Sequence, residues 1–156
     1  MQRNKISFKG QKIYIGIDVH AKTWEVCVLT ESGYKERHPQ QASAKTLFDF
    51  LKKNFPDGEY HAVYESGFSG FSTYYALKEY GINCVVTQYE EVMKTDKVDA
   101  AKLARSLRAG DIRPIYIREK ENIDDRSVIR IRKTIQKQLS GYKARAKHLL
   151  HCNGVE

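Results

Sequence analysis

The chain has 156 residues, 41% of them hydrophobic and 11% aromatic, enough for one domain with its own core plus an appendage. No apolar run approaches the roughly 20 residues that cross a bilayer as a helix. The basic start MQRNKISFKGQK leads into a strand-like pattern rather than the apolar block of a signal peptide. Membrane proteins and secretory precursors are therefore set aside.

In chain order, residues 12–19 (KIYIGIDV) form a nearly continuous run of β-formers, as in a strand buried on both faces. After a short link, Thr23–Thr30 alternates and predicts a second strand. Ser32 and Gly33 mark a turn before a third, Tyr34–His38. Ala42–Asn54 carries helical spacing through Leu47, Phe48 and Leu51, with Ser43 as N-cap, and Pro56-Asp57-Gly58 forms a turn. A short strand at His61–Tyr64, a helix at Ser72–Tyr80 closed by Gly81, and a buried-type strand at Ile82–Thr87 follow. Thr95–Ala109 has helical periodicity ending at Gly110, and Ile115–Ile117 suggests a last short strand. A meander followed by alternating helices and strands predicts an α/β fold with a mixed sheet.

From about Ile123 the pattern becomes one long helix. Val128, Ile131, Ile135, Leu139, Tyr142, Ala146 and Leu149 make a narrow apolar seam of coiled-coil type, which Gly141 weakens enough to predict a bend. The formal net charge of +8 resides in this segment. Between Arg126 and His151 stand eight Lys and Arg and no acid, and the rest of the chain is balanced. A block this dense suits a polyanion, whose phosphates release counterions when neutralised, although a solvated helix face reads the same way. The expected division is a domain over 1–118 and a basic coiled-coil segment over 119–156. Cys27, Cys84 and Cys152 show no CxxC spacing. They match neither a zinc motif nor a disulfide framework and point to a reducing cytoplasm.

The chemistry lies in carboxylates at element ends. Asp18 ends the first strand, Glu65 follows another, and Asp96 and Asp99 stand one helical turn apart. Strand C-termini are where ligands gather in α/β sheets. Four acids meeting there repel unless a cation lies between them, and hard oxygen donors suit Mg2+ or Mn2+. Each acid also has a structural reading, as a turn former, an N-cap or a first-turn partner of the helix dipole. His20 is read as a surface or packing residue, and Trp24 as a packing residue on a different face from Val26 and Val28. Lys94, Lys97, Lys102 and Arg105 flank the acidic pair. With Arg130, Arg132, Lys133 and Lys137 they are the candidates for phosphate contacts.

Three strings, GIDVHAKTWEVCV, YESGFSGFSTYYALKEYGINCVV and KTDKVDAAKLARSLRAGDIRPIYI, resemble the RuvC-like DEDD domain of insertion-sequence transposases of the "one-ten" family, relatives of the Piv-type invertases. The resemblance runs over residues 12–151. It implies an RNase H-like fold, with Asp18, Glu65, Asp96 and Asp99 as a magnesium-binding tetrad. It further implies recombination of DNA, guidance by a structured non-coding RNA, homo-oligomers joined through the long helices, and a catalytic serine on a further C-terminal domain. That domain is expected to be absent from this chain, which reads as a fragment. The segment Thr87–Met93 is shorter than the family's basic loop and carries Glu90 and Glu91. Two other readings are a nucleic-acid-binding and oligomerisation module without catalysis, and a free-standing RuvC-like junction nuclease.

Overall fold

A computed structural model of the chain describes residues 7–67, 69–88 and 100–155. Its compact units are Met1–Tyr116 and Ile117–Glu156.

In the first unit, β1 (Lys12–Val19), β2 (Thr23–Thr30) and β3 (Lys35–Gln41) form the meander. They are followed by α1 (Ala44–Asn54), β4 (Glu59–Glu65), α2 (Ser72–Glu79), β5 (Asn83–Thr87) and α3 (Ala100–Ala109). The five strands lie in the order β3-β2-β1-β4-β5, with β1 antiparallel to β2 and parallel to β4, and β4 parallel to β5. This mixed sheet with helices on both faces is an RNase H-like α/β fold.

The central position of β1 explains its unbroken apolar sequence. Ile13, Ile15 and Ile17 are fully buried on one face. That face also holds Trp24, Val26 and Val28, so Trp24 packs beside the valines rather than opposite them. Leu47 of α1 and Leu77 of α2 are buried with them, and the Tyr64 hydroxyl joins sheet to helix by accepting from the Tyr74 backbone N–H at 3.2 Å. Ser43 caps α1, its side chain accepting from Thr46 N at 3.2 Å.

On the opposite face the fold depends on a missing side chain. A Cβ on Gly16 would run into the carbonyl oxygen of Ala100 and lie 2.6 Å from the Ala104 nitrogen. The small residues Ala100, Ala101 and Ala104 thus let α3 settle on β1 and β2, where they cluster with Cys27, Leu29 and the flank of Tyr14.

Several strand limits differ from expectation: β4 runs Glu59–Glu65, two residues earlier and one later than expected, and β5 begins at Asn83. The third strand extends past His38 to Gln41 and takes in Pro39. Pro39 is tolerated because β3 is the sheet edge, where a missing N–H breaks no ladder. Ile115–Ile117 is not a strand; a single bridge joins Thr87 to Pro114, and Ile115 N donates to Val86 O at 2.9 Å.

In the second unit, α4 (Lys120–Cys152) is one helix of 33 residues. It runs through Gly141 without a break. One glycine costs about 1 kcal/mol relative to alanine, too little to interrupt the helix on either side. None of its residues is buried.

Candidate metal and nucleic-acid site

Asp18 and Glu65 come from strands that run side by side. The β1–β4 register ends with Ile17 opposite Tyr64, so Asp18 and Glu65 are the next residues along two adjacent parallel strands. Both lie at strand C-terminal ends and, by the period of two, on the face that α3 covers. Glu65 is exposed and Asp18 half-buried. The Asp18 side chain keeps 37% of its accessibility, so its oxygens can be reached from solvent.

His20 is also drawn in. Asp18 and His20 are two residues apart in extended chain and share a face, with His20 Nε2 3.2 Å from Asp18 Oδ2. His20 opens the tight β1–β2 connection, where its N–H donates to Thr23 O at 3.1 Å. The side chain is exposed, in keeping with the surface reading, but it is oriented on the carboxylate.

One acid escaped the sequence reading. Glu25 on β2 is the register partner of Asp18, so Glu25, Asp18 and Glu65 form a row across three neighbouring strands. Thr87, opposite Glu65 on β5, ends the row; its hydroxyl donates to Arg113 O at 3.1 Å. The signal that would have found Glu25 is hairpin arithmetic. With Val19 paired to Trp24, the residues one step back, Asp18 and Glu25, must face each other.

Asp96 and Asp99, with Lys94 and Lys97, lie outside the described residues. Their nearest described neighbour is Ala100, whose carbonyl stands over Gly16, two residues before Asp18. Among the described residues no three acids, histidines or cysteines are grouped so as to hold a metal ion. Lys102 and Arg105 sit on α3, Lys102 half-buried and Arg105 exposed. Arg130, Arg132, Lys133 and Lys137 are all exposed on α4. The apolar seam there is exposed too, with Ile131 at 60% and Ile135 at 57%. No described helix is long and apolar enough to cross a membrane.

The sheet order and its flanking helices place the domain in the RNase H-like α/β class. Similarity to known proteins narrows this: residues 15–152 match the IS110-type DEDD transposase family, described as "Transposase", and the chain belongs to that family. It is 35% identical over 109 residues to the "Transposase for insertion sequence element IS1533" of Leptospira borgpetersenii, covering 64% of this chain and 32% of that protein. It is 25% identical over 136 residues to the "Putative transposase y4qE" of Sinorhizobium fredii, covering 78% of this chain and 34% of the relative. The matches thus span about a third of these curated relatives.

Proposed function

We propose that this chain contributes the carboxylate portion of a transposase active site, in which Asp18, Glu65, Asp96 and Asp99 hold Mg2+ or Mn2+ for the cutting and rejoining of DNA strands. The observation that carries this reading is the placement of Asp18 and Glu65, adjacent and in step at the C-terminal ends of parallel strands. The donor set fits the ion: exposed or half-exposed carboxylate oxygens are hard ligands, and a row of like charges is relieved by a divalent cation. Bound there, the metal supplies charge neutralisation at the phosphodiester. The chain's own part is to fix the two carboxylates on rigid strands. Asp96 and Asp99 enter as the other members through the string KTDKVDAAKLA, which resembles the family's motif.

Lys102, Arg105, Lys94 and Lys97 are assigned to phosphates close to the metals. Arg130, Arg132, Lys133 and Lys137 are assigned to the backbone of DNA or of a guide-type RNA. The apolar seam of α4 is assigned to a second copy of the chain. Isothermal titration with Mg2+ and Mn2+ on the wild type and on Asp18→Asn tests the core claim. The wild type should bind measurably more tightly; equal weak binding by both rejects the metal site.

A second reading has an observation of its own. No side chain of α4 is buried, and the helix carries both the basic block and an exposed apolar seam. By this reading the chain binds nucleic acid and self-associates without catalysis of its own. It predicts salt-dependent nucleic-acid affinity that Asp18→Asn leaves unchanged, with no divalent-metal site.

A further inference from the structure

The cysteines form no motif among themselves, but the structure gives one of them a histidine. His148 and Cys152 are one helical turn apart on α4, with Cys152 Sγ 3.6 Å from His148 Nε2. Both are exposed, so neither has to leave a packed environment to bind a ligand. We propose that His148 and Cys152 form a two-point chelate for a soft divalent cation of the zinc class, separate from the carboxylate site.

Four physical features support the assignment. Side chains at i and i+4 stand above one another on the same helix face, the arrangement a chelate needs. Zinc–sulfur and zinc–nitrogen bonds of about 2.3 and 2.0–2.1 Å at a tetrahedral angle set the two donor atoms about 3.6 Å apart. The observed separation equals that edge, so both donors can reach one ion with little change of rotamer. The pair also lies in the last turns of α4, where Asn153 N–H donates to the Leu150 and His151 carbonyls; this end of the helix dipole favours positive charge. Imidazole nitrogen and thiolate sulfur select zinc-class metals over the Mg2+ or Mn2+ suited to carboxylates. On binding, the thiol proton passes to solvent as the metal–sulfur bond forms, releasing one proton per ion from a neutral imidazole and a thiol. Two coordination positions remain for water.

Cobalt(II) titration of the full chain tests the proposal. The wild type should develop thiolate-to-cobalt charge-transfer absorption that saturates at one equivalent and is reversed by Zn2+. Cys152→Ser should abolish the band, and His148→Ala should weaken binding roughly tenfold or more, equivalent to about 1.4 kcal/mol. Asp18→Asn and His151→Ala should keep it, and circular dichroism checks that α4 is intact in each variant. No charge-transfer band in the wild type overturns the proposal, as does a band that survives in Cys152→Ser. Unchanged affinity in His148→Ala also overturns it and leaves a plain S–H···N contact. Loss of the band in His151→Ala overturns the assignment of the nitrogen ligand.

Discussion

The Ala100 carbonyl occupies the place where a side chain on Gly16 would begin. The contact sets the start of α3 on the central strand, two residues from Asp18, and so links the packing of the sheet to the geometry of the carboxylates. Gly16→Ala should force α3 outward at a cost of about 1–3 kcal/mol, as overpacking does in cores. Urea unfolding measures the loss of stability. Titration of the surviving folded protein should also show weaker divalent-ion binding.

The row Glu25, Asp18 and Glu65 predicts a division between stability and function. Like charges on facing strand positions destabilise by about 0.2–1 kcal/mol, so Asp18→Asn should melt within about 1 kcal/mol of the wild type without metal. With Mg2+ or Mn2+ added, only the wild type should gain thermal stability, because an ion that binds the folded state stabilises it by mass action. Melting curves with and without metal give the comparison, and equal gains in both proteins contradict the site.

Replacing Arg130, Arg132, Lys133 and Lys137 together by glutamine should weaken nucleic-acid binding with little dependence on sequence. The slope of log K against log salt should become shallower by about 0.9 for each duplex phosphate contact removed. Fluorescence anisotropy at several salt concentrations reads both effects. An unaltered slope removes these residues from the interface.

Polar replacement of Ile131 and Ile135 should abolish self-association without unfolding the chain, since both side chains are exposed in the single chain. Sedimentation velocity over a range of concentrations would show the wild type associating and the variant monomeric. Identical profiles would rule out the seam as the contact.

The thiols should differ sharply in reactivity. Burial pushes the Cys84 thiol from 9.0 up to about 12, and Cys27 is also buried, whereas Cys152 is exposed. Near pH 8, without added metal, an alkylating reagent should modify Cys152 rapidly and the other two only on unfolding. The raised Cys84 pKa means that the folded state keeps its proton longer. Its contribution to stability is therefore complete below about pH 9 and lost as pH rises from 9 toward 12.

Much of this protein was legible along the chain. The continuous apolar run of β1 announces a central strand, Ser43 announces the start of α1, and the spacing from Val128 to Leu149 announces a long helix. These signals are local, because they arise from side-chain period and from backbone capping within a few residues. Asp18 and Glu65 could also be placed at strand ends from the sequence, because each closes an apolar run of β-formers.

Tertiary structure decided what depends on register and contact. Glu25 joins the acidic row only because the hairpin pairs it with Asp18, and Gly16 matters only because α3 lands on it. Pro39 belongs to a strand only because that strand is the edge. Sequence by itself determined which elements form and which residue types carry charge. The pairing of strands and the seating of α3 determined which of those charges face one another, because that depends on contacts between residues far apart in the chain.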